Sequence, residues 1–261
     1  MTLKKRLFTV GLSMVVATGF GVFTPVFAGE HGTAHWAYEG EGGPEHWGGM
    51  SKDYAACSQG KSQSPVDITG AADEKLDDIA FNYKPSKAVI ENNGHTIQVN
   101  YEKGSGNTIK AGGVEYELVQ FHFHDPSEHT VRGKSYGMEL HLVHKNVDGK
   151  LAVVGVLIDT GAEGGAYKEI WNSFPKKAGD KKELKAPINA NDLLPKERLY
   201  YKYSGSLTTP PCSEIVTWLV IKTPVQMSKA QVDAFKGIVK MNARPTQPLN
   251  GRRISAEAAG K

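Results

Sequence analysis

Cysteine is scarce: Cys57 and Cys212 are the only two in 261 residues, and neither sits in a C-x-x-C pair. That excludes a disulfide-dense miniature scaffold and a multi-cysteine metal cluster. Charge of one sign is also scarce. The 31 Lys+Arg and 28 Asp+Glu form no basic block, so nucleic acid is not expected as a partner, because phosphate recognition needs a clustered basic face. Beyond residue 28 no apolar stretch approaches 18 residues, which argues against a membrane span in the rest of the chain. The 29 glycines and 13 prolines follow no collagen-like period, and no repeat, linker or low-complexity stretch appears. What remains is a globular protein with 39% apolar residues, enough for a substantial core.

The first 28 residues read as a leader. Lys4, Lys5 and Arg6 precede an uncharged apolar run from Leu7 to about Phe23, and Val26-Phe27-Ala28 offers a small-residue cut. This is the pattern of a secretory signal peptide cleaved after Ala28. An uncleaved anchor fits less well, since the run contains Ser, Thr and Gly and ends in Pro25. Residues 29–261 would then form one domain of 233 residues with 28 charges of each sign. Export places the chain in an oxidising compartment, periplasmic or extracellular, where an even cysteine count reads as a disulfide. A pair of zinc ligands is the alternative for Cys57 and Cys212.

Period-2 patterning dominates. His95–Tyr101, Val114–His124, Met138–His144 and Glu214–Ile221 alternate apolar and polar, while Leu151–Ile158 is continuously apolar, as in a strand buried on both faces. Gly and Asn clusters such as Asn92-Asn93-Gly94 and Asp148-Gly149 separate the runs as turns. Helical periodicity is confined to Ala166–Phe174 and to Ser228–Val239, where Ser228 can cap and Val232, Phe235, Ile238 and Val239 share a face. The expected fold is a mainly β single domain around a large, twisted, mostly antiparallel central sheet with short peripheral helices.

The histidines carry the chemistry. Residues i and i+2 of a strand share a face, so Gln120, His122 and His124 point one way and Phe121 and Phe123 the other. Met138–Val143 repeats the arrangement, with Glu139, His141 and Val143 on one face. Three neutral imidazoles leave a zinc ion one open tetrahedral position, the pattern of a catalytic site. Water there becomes acidic near neutral pH and yields a bound hydroxide. Gln120 and Glu139 are placed to accept the ligands' other N–H groups. His95, after a turn, is a candidate proton carrier. His129 and His144 read as hydrogen-bonded core histidines; for His31, His35 and His46, beside Trp36 and Trp47, a second metal site is the weaker of two readings, the other being no site at all.

Several segments together resemble an alpha-class carbonic anhydrase, itself the standard instance of the three-imidazole zinc site. They are Gln120-Phe121-His122-Phe123-His124-Asp125-Pro126-Ser127-Glu128-His129-Thr130, Glu139-Leu140-His141-Leu142-Val143-His144 and Ser206-Leu207-Thr208-Thr209-Pro210-Pro211-Cys212. Gln63-Ser64-Pro65-Val66-Asp67-Ile68, Asn92-Asn93-Gly94-His95 and Arg244-Pro245-Thr246-Gln247-Pro248-Leu249 follow the same family order. The resemblance implies reversible hydration of CO2 to bicarbonate and a proton, one Zn2+ per chain on His122, His124 and His141, and weak esterase side activity. It implies that Thr208 accepts a hydrogen bond from the zinc-bound hydroxide and donates one to Glu128. A hydroxyl both donates and accepts, whereas an ionised carboxylate only accepts.

The same resemblance makes His95 the proton shuttle, with Tyr38, Asn93 and Gln98 ordering water beside it. Thr209 lines the bicarbonate side. Val143, Val153, Leu207, Val216 and Trp218 form the apolar wall for CO2; from pattern alone they read as ordinary core. Gln98 departs from the Asn common in animal members. The short Asp125–Glu128 connection and the Cys57/Cys212 pair resemble bacterial exported forms, with which a homodimer is compatible. A silent binding domain on the same fold would usually lack a zinc histidine, and a zinc-storage protein would not need Thr208 and Glu128.

Overall fold

The computed structural model describes residues 35–258; the leader expected at residues 1–28 and His31 lie outside the described residues. The main body is a 12-stranded sheet. From one edge its path runs Lys181–Glu183, Ala88–Asn92, Ile97–Tyr101, Val114–His124, Met138–Lys145, Leu151–Thr160, Val216–Met227, Tyr200–Gly205, Ser255–Glu257 and Ala72–Glu74. Most neighbours are antiparallel, as expected. The pairing of Leu151–Thr160 with Val216–Met227 is parallel, as the long intervening connection allows. A separate parallel pair joins Asp67–Ile68 to Thr130–Val131.

The strand Val114–His124 has the bounds its pattern predicts, but its alternation breaks once. A bulge between Leu118 and Gln120 leaves Val119 42% exposed. Before it, Tyr116 and Leu118 enter the core; after it, Phe121 and Phe123 do. The extra residue switches which parity faces inward and turns Gln120 and His122 to the opposite face. Leu151–Thr160 is buried on both sides, with Ala152, Val154 and Val156 in the main core and Val153 and Leu157 in a second cluster. The strand expected at Glu214–Ile221 instead spans Val216–Met227.

Helices are short and peripheral. Ala166–Phe174 resolves into a 3-10 turn, Gly165–Tyr167, followed by Lys168–Asn172. Lys229–Lys236 starts from a capping box in which Ser228 and Gln231 satisfy each other's backbone N–H groups, and it buries Val232 and Phe235. The strand after the Asn92-Asn93-Gly94 turn begins at Ile97 rather than His95. The Asn93 Oδ1 accepts from both His95 N (3.0 Å) and Thr96 N (2.9 Å), diverting those groups from the ladder.

Candidate active site

Two neighbouring strands place the histidines. His122 lies directly opposite His141, and His124 opposite Glu139. Ring centroids are 5.0 Å apart for His122–His124, 5.3 Å for His122–His141 and 4.5 Å for His124–His141. One ligand nitrogen from each lies within 4.8 Å of the others.

The hydrogen-bond partners fix which nitrogen each ring offers. His122 Nδ1 donates to Gln120 Oε1 at 2.8 Å. His124 Nδ1 donates to the Asn242 carbonyl at 2.7 Å. Both therefore keep an Nε2 lone pair. His141 is reversed: its Nε2 faces Glu139 Oε1 at 3.0 Å, leaving Nδ1 free. His124 Nε2 and His141 Nδ1 lie 3.5 and 3.9 Å from the same oxygen, Glu128 Oε2. Burial, and the nearness of the other histidines, lowers the pKa of His122 well below its ordinary value. Burial likewise lowers His141 and brings His124 to about 4. The rings are thus neutral at physiological pH, the form that binds a metal. His124 Nε2 is buried without a hydrogen-bond partner, which a lone pair awaiting a cation explains. The residues fit a zinc ion.

Behind His141 runs a buried polar chain. Glu139 Oε1 lies 2.8 Å from His129 Nδ1, and His129 Nε2 lies 2.6 Å from the Tyr203 hydroxyl. Glu139 Oε2 accepts the backbone N–H groups of Glu128 and His129 at 2.9 and 2.8 Å. Burial opposes ionisation of Glu139, yet the charges and hydrogen bonds of His129 and His141 hold it well below the usual carboxylate range. His129 is thus a hydrogen-bonded core residue, as is His144, placed between the Tyr83 hydroxyl and the Ala152 carbonyl.

Glu128 is buried beside the histidines. Burial raises it to about 7, against the pull of His141, the Thr208 side chain and the Arg244 backbone N–H. That N–H reaches Glu128 Oε1 at 2.8 Å. Trp218 packs against His129 and His141, with centroids at 4.7 and 4.8 Å, and its Nε1 donates to the Ser206 carbonyl. Val153, Val216 and Trp218 are buried in one cluster, with Val143 and Leu207 partly exposed against it. Thr208 is buried and Thr209 half-buried.

His95 stands apart from this cluster. Its ring stacks on Trp36, centroids 3.7 Å apart and 7° from parallel. With Trp36, Tyr38, Asn93 and Asn242 it lines a cavity of about 650 Å3 that none of the three clustered histidines lines. Gln98 sits opposite His122 in the ladder, but its amide is engaged by Glu91, Asn93 and Asn100. Burial and His35 lower the His95 pKa. Cys57 and Cys212 form a disulfide, not a ligand pair. Asn242 escaped the sequence reading. Its carbonyl holds His124, and its side chain bonds Asp125 N and the His95 and Phe123 carbonyls; nothing in its sequence setting marks it.

Residues 42–258 match the family model for eukaryotic-type carbonic anhydrase. A carbonic anhydrase of Neisseria gonorrhoeae is 46% identical over 244 residues, covering 93% of this chain and 95% of the relative. Among solved structures, a hyperthermostable carbonic anhydrase from a hydrothermal vent chimney is 48% identical with TM-score 0.83, covering 86% of this chain and all of that one. The alpha-carbonic anhydrase of Thermovibrio ammonificans, solved with the inhibitor sulfanilamide, is 46% identical over the same shares, also with TM-score 0.83. The chain belongs to the alpha-class, eukaryotic-type carbonic anhydrase family. Its activity is the family's zinc-dependent interconversion of CO2 and bicarbonate, a carbonate dehydratase reaction.

Proposed function

We propose that this chain hydrates CO2 at a zinc ion held by His122 Nε2, His124 Nε2 and His141 Nδ1. The observation that carries the assignment is the nitrogen pattern, in which Gln120 Oε1, the Asn242 carbonyl and Glu139 Oε1 lie 2.8, 2.7 and 3.0 Å from the nitrogen that faces away from the cluster. Zinc on three imidazoles with an open position supplies a Lewis acid that makes water nucleophilic near neutral pH, a property that carbonic anhydrases themselves exemplify rather than a deduction from this chain.

The remaining roles belong to side chains. Thr208 donates its one proton to Glu128 and presents only lone pairs to the nucleophile, fixing its orientation toward the substrate carbon. Val143, Val153, Leu207, Val216 and Trp218 bound an apolar space, which suits an uncharged gas that offers little to hydrogen bond. Thr209 meets the bicarbonate oxygens. His95 carries the proton to buffer through water ordered by Tyr38, Asn93 and Gln98, and its lowered pKa lets it release that proton readily. The leader at 1–28 and the Cys57–Cys212 disulfide support export of residues 29–261 to the periplasm or beyond. Among the described residues no helix is long and apolar enough to cross a membrane. Activated esters are a second substrate class, since the same nucleophile attacks carbonyls.

Stopped-flow CO2 hydration with and without a chelator tests the assignment. Activity should vanish with the metal and return with added zinc; full activity in metal-free protein would overturn it. His95→Ala should slow turnover in dilute buffer and much less in concentrated buffer, because only the proton-transfer step is touched.

A further inference from the structure

The stretch from Met241 to Pro248 belongs to no strand or helix, yet it supplies two groups to the site: the Asn242 carbonyl to His124 and the Arg244 N–H to Glu128. A segment without a ladder keeps such positions only if its side chains anchor it. Asn242 is anchored to the end of the Val114–His124 strand. Arg244 is 2% exposed and reaches the other way. Its NH1 donates to Gln63 Oε1 (2.9 Å) and the Ser64 carbonyl (2.8 Å), and its NH2 donates to the Cys57 carbonyl at 2.8 Å. Gln63 Nε2 in turn donates to the Cys212 carbonyl at 3.0 Å. The guanidinium therefore closes onto both halves of the disulfide, and no Asp or Glu side chain lies within ion-pair distance of it among the described residues. A buried guanidinium bonded only to neutral oxygens is costly, and packing alone would be met by an apolar side chain of similar size.

We propose that Arg244 is a positioning residue for CO2 hydration, its guanidinium tying the disulfide-bearing 57–64 segment to the 242–248 segment so that its own backbone N–H aims Glu128 at Thr208. The proposal rests on the reading of Thr208 and Glu128 given above. Glu128 has two tethers of its own, the Arg244 N–H on its carboxylate and the bond from its backbone N–H to Glu139. Only the first sets the carboxylate, and with it the direction of the Thr208 proton. With that proton committed to Glu128, Thr208 can accept from a ligand N–H but cannot donate to a bare anion. Loosening Arg244 frees the hydroxyl to turn and erases the discrimination.

The test is the ratio of affinities for sulfanilamide, whose sulfonamide nitrogen carries a proton, and thiocyanate, which carries none. It is measured by calorimetry on zinc-loaded protein, with zinc content and thermal midpoint recorded alongside. Arg244→Met should keep stoichiometric zinc while the ratio shifts about tenfold toward thiocyanate, the scale of one hydrogen bond to a charged group. Arg244→Lys, which retains charge without the fork, should shift it partway and decides the question if Arg244→Met does not fold; Gln63→Leu, which removes one acceptor of the guanidinium together with the Gln63 bonds to Cys212 and Glu214, should shift it in the same direction. Thr208→Ala is the control and should shift the ratio in the same direction. An unchanged ratio in Arg244→Met, or in Arg244→Lys where the former does not fold, with Thr208→Ala shifted, overturns the role of Arg244 alone. An unchanged ratio in Thr208→Ala overturns the Thr208–Glu128 reading and this proposal with it. A merely structural arginine would lower the midpoint and leave the ratio where it was.

Discussion

Two regions meet at the metal site and are held in different ways. The histidines stand on a ladder, where His122 faces His141 and His124 faces Glu139 across continuous backbone pairing. Each ring then meets one further oxygen, of Gln120, Asn242 or Glu139. Thr208 and the Arg244 N–H stand on stretches without a ladder, held by side chains. Ser64 and Ser206 exchange backbone N–H to hydroxyl bonds at 2.9 and 3.1 Å. Trp218 Nε1 holds the Ser206 carbonyl, and Gln63 and Arg244 hold the carbonyls of Cys212 and Cys57. Cys212 itself sits at φ +57, a conformation a non-glycine residue adopts at a cost, so its surroundings must hold it there. The ladder places donors for a cation by repetition. On the role proposed for Thr208 and Glu128, the irregular stretches place a single proton by cross-linking.

The largest test of that contrast removes the cross-link. Replacing Cys57 and Cys212 together by serine opens a loop of sequence separation 155 and should lower stability by ~2–5 kcal/mol, measured by denaturant unfolding. Zinc affinity, set on the strands, should change little while the folded population is kept. A zinc affinity that collapses with the disulfide would mean that the two regions form one unit, and the contrast would fail.

Glu139→Gln probes the other region. The carboxylate serves His141, His129 and two backbone N–H groups at once, and an amide cannot accept from all of them. Zinc affinity should fall by ~10–100-fold, the range for residues that orient metal ligands, read by competition with a chelating dye. A smaller loss than in Gln120→Ala would indicate that Gln120 does more for the cluster than Glu139.

The same contrast governs how much could be read from sequence. Period-2 patterning located the strands and put His122, His124, Gln120, His141 and Glu139 on usable faces, because in a ladder the side chain's direction is a local property. The bulge at Val119 was invisible, yet harmless, since it lies ahead of the histidines. Glu128 and Thr208 came only through family resemblance; nothing about a loop carboxylate and a turn threonine, 80 positions apart, predicts that they meet. The Asn242 carbonyl on His124 and the Arg244 guanidinium on the Ser64 and Cys57 carbonyls are non-local bonds to backbone oxygens, 118 to 187 positions apart, and backbone oxygens carry no residue signature. The strand expected at Glu214–Ile221 runs on to Met227 because the parallel pairing with Leu151–Thr160 continues past the alternating segment.

The smallest expected effect separates metal binding from stability within the ladder itself. Gly155 lies opposite His141 in the ladder, and a Cβ placed there would stand 3.0 Å from Glu139 Oε1 and 3.4 Å from Val220. That is a few tenths of an ångström too close, so one neighbour must give. Val220 belongs to a packed cluster, and the carboxylate is bonded on four sides, so it can retreat only by carrying His141 or His129 with it. Gly155→Ala should therefore weaken zinc binding by less than Glu139→Gln does. Stability should barely move, because alanine restricts the unfolded chain by ~0.4–1 kcal/mol in compensation against a packing strain of ~1 kcal/mol at this scale. The two readouts split only if the carboxylate is held as rigidly as its four partners imply. Unchanged zinc affinity alongside unchanged stability would show that Glu139 slides freely, and that the ladder orients His141 without it.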